Sequence, residues 1–436
     1  MKIEDLYFVT TRFLIIFSIV TIFSGGSFLF AYGQEFENYN VKVVTVAENL
    51  EIPWEIAFAP DGRIFFTERV GNLRVIENGQ LNPEPVAILD VGTVEGGLLG
   101  LALDPNFEQN HFLYLYYTYF EFPFTYNKVV RFTEKDNSLL DEFILVDKIP
   151  GAAIHDGGRL KFGPDEKLYI TTGDAGNSSA AQDLNSLSGK ILRINPDGTI
   201  PSDNPFADSM IFSYGHRNPQ GLDWDPVTGK LVVTEHGSSA HDEINVVESG
   251  KNYGWPKIIG GEHDPEFVDP IIHTGEDTWA PSGATFYDSK NIPEWTNKYF
   301  VATLRGGHLR MLDLNLEENQ VISSEALFSN TYGRLRDASI GPDGNLYLLT
   351  SNRDGRGAPA ENDDRILKII SIISEEKKVG DSSLSPLKQV KTGILPPDVA
   401  CKTGFELILK STTGNPACVF PPTASKLVSV GWGVLP

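Results

Sequence analysis

Short stretches of alternating apolar and polar residues recur along the chain, in pairs joined by turns rich in Pro, Asp and Gly. Clear examples are WEIAFAPDGRIFFTER, GRLKFGPDEKLYITTGD and ASIGPDGNLYLLTS. A period of two residues is typical of β-strands, and no long segment has the 3.6-residue period of a helix. The repeated units begin at Trp54, Leu99, Gly158, Gln220, Ser282 and Ala338.

Most units are followed by a third strand-like stretch, such as NLRVIENG or GKILRINPDG. Sheets of this kind bury their faces against one another when they are arranged radially. The pattern therefore predicts an all-β fold, a six-bladed β-propeller with four-stranded blades over residues 40–372. We expect Val41 to Val46 to pair with the last blade and close the ring.

The two ends of the chain differ from the repeats. Residues 13–31 are an apolar run preceded by Lys2 and Arg12, which predicts a signal peptide or an N-terminal membrane anchor within residues 1–34. Either alternative exports the remainder of the chain. The expected location is outside the cell, secreted or held at the outer face of the membrane.

The C-terminal part lacks the repeat. Residues 373–398 are polar and predict a linker, and residues 399–436 predict a small module bounded by Cys401 and Cys418, the two cysteines of the chain. In an exported protein such a pair favours a disulfide.

Composition narrows the choice of partners. The formal net charge is -22 over 436 residues. Binding to nucleic acids needs basic surface that displaces counterions from phosphates, so this charge argues against a nucleic-acid partner. Anionic membrane surfaces are disfavoured for the same electrostatic reason.

One hairpin carries two residues of catalytic type. In IHDGGRLKFGPDEKLYITTGDAG, His155 precedes the first strand and Asp174 follows the second. The start of one antiparallel strand and the end of the next lie at the same edge, so the two side chains should be neighbours. A carboxylate that fixes the tautomer of an imidazole prepares it to act as a general base.

The same argument places the polar residues at the strand ends of every blade on one face of the propeller. Guanidinium groups gathered there would bind a planar or multiply anionic ligand, because they pair with carboxylates in bidentate fashion. Any one of them alone could instead be a structural partner for carbonyls between blades. The arginines that should converge are Arg217, Arg305, Arg334 and Arg336.

The stretch HGSSAHDEINVVESGKNYGWP, which begins at His236, is rich in oxygen donors of the kind that Ca²⁺ prefers. The alternative is a plain surface loop with scattered acids. The candidate oxygens belong to the backbone of Gly237, Ser238 and Tyr253 and to the side chains of Asp242 and Glu243.

Taken in order, the motifs HDGGRLKFGPDEKLYITTGDAG, LSGKILRINPDG, GHRNPQGLDWDP, EHGSSAHDEINVVESGKNYGWP and RLRDASIGPDGNLYLLT resemble the soluble aldose sugar dehydrogenases that depend on pyrroloquinoline quinone (PQQ), the glucose/sorbosone dehydrogenase family. The resemblance covers about residues 45 to 370 and leaves out the C-terminal module. It implies a six-bladed propeller that binds PQQ beside Ca²⁺, a small-molecule sugar substrate and an external electron acceptor.

The resemblance also implies roles for the matched positions. His155 would take the proton of the sugar hydroxyl, Asp174 would orient it, and Arg217 would stabilise the negative charge that develops on the quinone. The remaining implied roles are cofactor contacts for Asn218, Thr278, Arg334 and Arg336, carbonyl ligation of the cofactor-linked Ca²⁺ by Gly237 and Ser238 with support from Asp242, and a second, structural Ca²⁺ site at Glu243 and Tyr253.

Two departures from the family pattern bear on the cofactor and the substrate. Arg305 stands where the family usually has lysine, which keeps the positive charge but changes its geometry. Glu95, a candidate substrate contact, stands where some glucose-oxidising members have glutamine. The identity of the sugar is therefore left open, as is the formation of a homodimer.

Two other functions compete with the dehydrogenase. A Ca²⁺-dependent lactonase or esterase on a six-bladed propeller would need carboxylates and amides around a metal on the central axis. A secreted binding module would keep the propeller and lose the chemistry, and we expect it to lack His155 or Arg217 first.

Overall fold

The structure is a computed structural model that describes residues 34–36, 39–92, 95–372, 383–391, 394 and 396–435. The apolar run at residues 13–31 lies outside the described residues, as do residues 373–382 of the predicted linker. None of the helices in the described part of the chain is long and apolar enough to span a bilayer.

The described residues before residue 373 form six antiparallel sheets. The N-terminal strands are β1 (Gln34–Phe36) and β2 (Val41–Ala47). Blade 1 contains β3 (Pro53–Phe58), β4 (Ile64–Glu68), β5 (Asn72–Glu77), β6 (Gln80–Leu81) and β7 (Ala87–Ile88). Blade 2 contains β8 (Leu98–Leu103), β9 (Phe112–Glu121), β10 (Phe124–Lys135) and β11 (Ser138–Gly151), with the short helix α1 (Phe107–Asn110) between β8 and β9.

The next three blades have four strands each. Blade 3 contains β12 (Leu160–Phe162), β13 (Leu168–Thr172), β14 (Lys190–Ile194) and β15 (Ile211–Tyr214), with a 3₁₀ turn at Ser178–Gln182. Blade 4 contains β16 (Pro219–Trp224), β17 (Leu231–Glu235), β18 (Glu243–Val247) and β19 (Ile272–His273). Blade 5 contains β20 (Pro281–Phe286), β21 (Tyr299–Thr303), β22 (Leu309–Asn315) and β23 (Gln320–Leu327), with a 3₁₀ turn at Pro293–Trp295.

Blade 6 joins the two ends of the repeat region. Its strands β24 (Leu335–Ile340), β25 (Leu346–Thr350) and β26 (Ile366–Ser371) are completed by the N-terminal β2 and β1. Strand β2 pairs antiparallel with β26, with Val43 opposite Ile369. The predicted six-bladed propeller and its closure by the N-terminal strand are confirmed, with five strands rather than four in blades 1 and 6.

The apolar core is divided among the interfaces between blades. In the described residues, separate clusters of buried side chains lie between blades 1 and 2, 2 and 3, 3 and 4, 4 and 5, 5 and 6, and 6 and 1. The cluster between blades 5 and 6, for example, includes Trp295, Phe300 and Leu348. Each blade is thus buried on both faces. The strand edges that face the axis and the periphery are therefore the parts of a blade not used in packing against its neighbours.

The described residues after the propeller contain helix α2 (Pro386–Lys391) and a 3₁₀ turn at Pro396–Asp398, both within the predicted linker, and then strands β27 (Glu406–Lys410) and β28 (Pro416–Val419), helix α3 (Pro421–Ser429) and strand β29 (Gly433–Val434) in the predicted module. The predicted disulfide between Cys401 and Cys418 is present. The region predicted as linker therefore ends in ordered structure: the side-chain amide of the buried Gln389 donates to the carbonyls of Leu384 and Ala400.

Candidate active site

His155 and Asp174 lie at one edge of blade 3, just before β12 and just after β13. His155 Nδ1 is 2.7 Å from Asp174 Oδ1, so the prediction that they are neighbours is confirmed. The backbone of His155 is left-handed, with φ 63°. A Cβ atom on Gly173 would lie 1.9 Å from the carbonyl oxygen of His155, so only glycine at that position allows the two segments to approach this closely.

The carboxylate of Asp174 is buried and fully engaged. Its Oδ1 also accepts from the backbone N–H of Gly176 at 2.8 Å, and its Oδ2 accepts from Trp255 Nε1 at 2.9 Å. Burial by itself would raise the pKa of Asp174, but the hydrogen bonds from His155, Gly176 and Trp255 together hold it below its ordinary value. The side chain is therefore an anion that fixes the imidazole ring, with Nδ1 occupied and Nε2 left for a substrate.

Arg217 lies beside this pair at the start of blade 4. Its Nη1 donates to the carbonyl of His236 at 3.0 Å, and its guanidinium carbon lies 5.3 Å from the centre of the Trp255 ring. Burial lowers the pKa of Arg217, and its buried Nε has no hydrogen-bond partner among the described residues. A buried donor without a partner costs free energy. A hydrogen-bond acceptor on a ligand at this position would therefore stabilise Arg217.

Asn218 ties the His155 loop to blade 4. Its Oδ1 accepts from the backbone N–H of Gly157 and from Gln220 Nε2, both at 3.1 Å. Its Nδ2 lies 3.4 Å from Oε1 of Glu95, which also faces the backbone N–H of His155 at 3.3 Å. The predicted cofactor contact Asn218 and the predicted substrate contact Glu95 thus lie against the same loop.

A cationic pocket occupies the floor of the funnel at this end of the propeller. It encloses about 60 Å³, and the residues that line it are Arg69, Glu95, Gln220, His236, Leu304, Arg334, Arg336, Asp354 and Arg356. Arg334 donates to Asp354 Oδ2 through Nε at 2.8 Å and Nη2 at 2.7 Å. Arg69, which the sequence places at a strand end on this face, and Arg356, which the sequence patterns did not single out, add to the positive charge.

Arg336 is the most deeply buried cation of the pocket. Its Nη1 donates to Gln220 Oε1 at 2.9 Å and to Ser282 Oγ at 3.2 Å, and its Nε has no partner among the described residues. Burial, followed by repulsion from Arg69, lowers the pKa of Arg336 to about 9. No carboxylate forms a direct ion pair with it in the described structure, so an anionic ligand would relieve this unfavourable charge.

His236 is a further polar residue of the pocket. Its Nε2 is buried without a partner among the described residues, and burial together with repulsion from Arg336 and Arg217 keeps the pKa of His236 well below its ordinary value. The ring is therefore neutral at pH 7. The sequence signal for His236 is its position just after β17, the second strand of blade 4. This corresponds to the position of Asp174 after β13, the second strand of blade 3.

Arg305 and Thr278 do not line the pocket. Both side chains are exposed, and Leu304 takes the position on the pocket wall instead. The backbone N–H of Arg305 donates to the carbonyl of Trp279 at 3.0 Å, so the two residues share one rim segment of blade 5. Of the four arginines that were expected to converge, Arg334 and Arg336 line the pocket and Arg217 lies beside the His155–Asp174 pair. Arg305 is exposed in the bend that follows β21 and does not join them.

Asp242 organises the loop that was predicted to bind Ca²⁺ beside the cofactor. Its carboxylate accepts from the backbone N–H groups of Gly237 at 2.9 Å, Trp279 at 2.7 Å and Ala280 at 2.8 Å. A Cβ on Gly237 would lie 2.0 Å from the carbonyl of His241, which makes glycine necessary in this tight loop. Asp242 therefore supports the carbonyls of Gly237 and Ser238, the predicted ligands, rather than facing a metal itself.

Glu243 and Tyr253 lie on the other side of that loop. Glu243 is buried against Asn245 and the backbone N–H of Gly260, and burial followed by repulsion from Glu235 raises the pKa of Glu243 to about 8. The Oδ1 of Asn245 is buried without a partner in the described structure. The hydroxyl of Tyr253 is already used, since it donates to the carbonyl of Val246 at 2.8 Å, so its backbone carbonyl is the group left for a metal.

Side-chain geometry alone does not identify a metal centre. Within the described ranges, no group of three or more His, Cys, Asp or Glu side chains is placed to hold a metal ion. Any Ca²⁺ site here depends mainly on backbone carbonyls and amide oxygens, which are suitable ligands for this ion.

Comparison with known proteins shows which family the chain belongs to. The profile of the glucose/sorbosone dehydrogenase family matches residues 50–367, the whole repeat region. The chain belongs to this family. Its family and its fold agree with the resemblance drawn from the sequence.

Three relatives of this glucose/sorbosone dehydrogenase family member cover most of it. Aldose sugar dehydrogenase YliI of Escherichia coli is 32% identical and the match covers 72% of this chain and 91% of that protein. Quinoprotein glucose dehydrogenase B of Acinetobacter calcoaceticus is 30% identical, with 72% and 86% covered. The PQQ-bound form of aldose sugar dehydrogenase from Streptomyces coelicolor is 35% identical, with a TM-score of 0.69, and the match covers 78% of this chain and 98% of that one.

Proposed function

We propose that the protein is a quinoprotein dehydrogenase that oxidises a hydroxyl of an aldose sugar or a related alcohol with PQQ and Ca²⁺, and passes the electrons to an external acceptor. The observation that carries the proposal is a positioned base, His155 with Asp174, beside a pocket whose deepest cation, Arg336, has an unpartnered Nε. Relatives described as quinoprotein and PQQ-bound dehydrogenases support it.

The pocket fits a cofactor with several carboxylates. Arg336, Arg334 and Arg69 would hold those groups, and Asn218 and Gln220 would position the cofactor ring system. The pocket encloses about 60 Å³, so these arginines would hold acidic groups of the cofactor rather than enclose it whole. When bound, PQQ supplies the acceptor for a hydride from the sugar carbon.

The residues of the chain carry the proton chemistry. His155 Nε2 takes the hydroxyl proton of the sugar, and Asp174 holds the ring so that Nε2 faces the substrate. Arg217, with its unpartnered Nε, offers positive charge where negative charge develops. Glu95, on the pocket wall and next to the His155 loop, is the candidate contact for the sugar hydroxyls, and the exposed Arg305 and Thr278 would act at the rim of the funnel.

Two Ca²⁺ sites form part of the proposal. The carbonyls of Gly237 and Ser238, in the loop held by Asp242, would bind the ion that assists the cofactor. The carboxylate of Glu243 and the carbonyl of Tyr253 would bind a structural ion. The unpartnered Asn245 Oδ1 and the raised pKa of Glu243 support this second site, because a cation would offset both.

The hydrolase alternative is disfavoured by the pairing of the charges near the axis. Arg159 Nη1 lies 3.1 Å from Glu55 Oε1 and 3.0 Å from Asp337 Oδ1, so these carboxylates are neutralised by an arginine rather than directed at a metal. The alternative of a binding module without chemistry is disfavoured by the presence of Arg217 and of His155 in contact with Asp174.

The location and assembly of the protein remain proposals. The Cys401–Cys418 disulfide supports an exported chain, since such bonds persist in oxidising compartments. A location outside the cell or at the outer face of the membrane, an N-terminal tether and a homodimer all stay predictions.

Reconstitution tests the function. PQQ and Ca²⁺ are added to purified apoprotein, and reduction of an electron-accepting dye is followed across a panel of aldoses. We expect saturable PQQ binding and dye reduction with at least one sugar, and a fall in both turnover and melting temperature when Ca²⁺ is removed by a chelator. Absence of PQQ binding at micromolar concentration, or full activity in excess chelator with no bound metal, would contradict the proposal.

A further inference from the structure

Trp255 contacts two of the charged groups of the site at once. Its Nε1 donates to Asp174 Oδ2 at 2.9 Å, and its ring lies under the guanidinium of Arg217. Asp174 belongs to blade 3, whereas Trp255 follows the third strand of blade 4. One side chain therefore bridges the residue that orients the base and the cation beside it.

The backbone of Trp255 is held from both sides. Its N–H donates to the carbonyl of Gly215 at 2.9 Å, and its carbonyl accepts from Gln182 Nε2 at 2.6 Å. Gln182 is itself fixed by Asn252, with hydrogen bonds of 3.0 and 2.8 Å between the two side-chain amides. The indole is thus presented by a rigid segment, which is the condition for holding another side chain in place.

Each contact supplies something that the partner otherwise lacks. Oδ2 of Asp174 accepts one side-chain hydrogen bond, and it comes from Trp255; without it the carboxylate could rotate and Oδ1 could leave His155 Nδ1. Arg217 has an unpartnered Nε, so the aromatic face is one of the few groups that fix its guanidinium plane.

We propose that Trp255 is a positioning residue of the active site, which locks Asp174 through its indole N–H and supports Arg217 through its ring. The inference rests on the proposed function, because the value of this arrangement lies in the chemistry of His155 and Arg217. It predicts that the two contacts can be removed separately, since Trp255→Phe deletes the N–H and keeps an aromatic face, whereas Trp255→Leu deletes both.

The contact with Asp174 sets the expected effect on His155. The indole N–H holds Oδ2 of Asp174, and this keeps Oδ1 in place against His155 Nδ1. In Trp255→Phe the carboxylate is free to rotate, so the hydrogen bond between His155 Nδ1 and Asp174 Oδ1 weakens.

The first test uses the apoprotein and needs no turnover. The resonance of the His155 Nδ1–H proton, which is hydrogen-bonded to Asp174, is recorded by NMR in wild type, Trp255→Phe and the matched control Trp224→Phe at the opposite end of blade 4, and it is assigned from its absence in a His155→Gln variant. We expect this resonance to shift or disappear in Trp255→Phe and to be unchanged in Trp224→Phe. The same resonance in all three proteins would overturn the proposal.

The second test uses the enzyme loaded with PQQ and Ca²⁺. A displaced orienting group should lower kcat on the order of 10-fold in Trp255→Phe with KM and PQQ affinity near wild type. In an Asp174→Asn background, Trp255→Phe should add little, because the two changes act through one contact. Additive losses of kcat in the double variant would show a purely structural role and overturn the proposal.

The two tests separate this inference from the proposed function. If wild-type enzyme shows no PQQ-dependent turnover while the His155 Nδ1–H resonance is still altered in Trp255→Phe, the function fails and the positioning contact stands. If wild type turns over and Trp255→Phe matches it in kcat, the function stands and the inference fails. The kcat of Trp255→Leu should be lower than that of Trp255→Phe, because the aromatic face is lost as well. Equal kcat values would contradict the proposed support of Arg217 by the ring.

Discussion

The two mouths of the central channel differ in a way that size alone does not predict. The inner strands begin at the face that holds His155 and end at the opposite face, where a cavity of about 740 Å³ is lined by residues such as Lys161, Asp223, Trp224, Phe286 and Ser339. The pocket at the His155 face encloses about 60 Å³. The larger opening nevertheless carries fewer signs of a ligand.

The difference lies in how the polar groups are satisfied. At the larger mouth Lys161 pairs with Asp223 at 2.7 Å, and none of its lining residues has a buried side-chain nitrogen or oxygen without a partner in the described structure. At the smaller mouth Arg217 Nε, Arg336 Nε and His236 Nε2 are all buried and unpartnered. Because an unmet buried donor costs stability, such groups persist where a ligand meets them.

The largest expected effect concerns the base. His155→Ala should lower turnover on the order of 10²- to 10⁴-fold, because a positioned base contributes about that much, while PQQ affinity stays near wild type. The matched change at the other mouth, Lys161→Ala, should leave turnover unchanged. Binding of PQQ and dye reduction are measured on each variant. Loss of the cofactor in His155→Ala would mean that His155 holds PQQ rather than serving as the base.

The next effect concerns the pocket floor. Arg336→Met should weaken PQQ binding on the order of 10-fold or more, because a hydrogen bond to a charged group is lost. The free energy of unfolding of the apoprotein should not fall, since the buried charge is unfavourable without its ligand. Calorimetric titration and urea unfolding measure the two quantities. A clear loss of apoprotein stability with unchanged PQQ affinity would make Arg336 a structural residue.

The smallest effect concerns Asp156, next to the base. Its Oδ1 accepts from Asn127 Nδ2 and the backbone N–H of Ala152, both at 3.1 Å, its Oδ2 has no partner in the described structure, and burial raises the pKa of Asp156 to about 7. The folded protein therefore binds this proton more tightly than the unfolded chain.

The stabilisation from that proton is complete below the unfolded pKa near 4 and is lost as the pH rises through about 7. Asp156→Asn mimics the protonated form, so its stability should fall less than that of wild type between pH 4 and 7. Urea unfolding at several pH values measures the slope. An identical slope in both proteins would show that Asp156 does not titrate in this range.

The sequence by itself determined the six-fold repeat and the edge of the blades at which the candidate catalytic residues lie. A period of two with Pro-Asp-Gly turns fixes strands and hairpins locally, so six blades, the closing strand and the contact between His155 and Asp174 could be predicted. The motif at Arg217, and Arg334 and Arg336 around the start of β24, could be placed by the same argument, because strand ends follow directly from strand pairing.

Tertiary structure decided what the loops do. Side chains in irregular segments obey no period, so the exposure of Arg305 and Thr278 and the inward position of Leu304 could not be derived from spacing. The contacts of Trp255 with Asp174, and of Arg336 with Gln220, join different blades. Such contacts depend on the way that whole blades pack around the axis. They cannot be predicted from patterns within one short stretch of sequence.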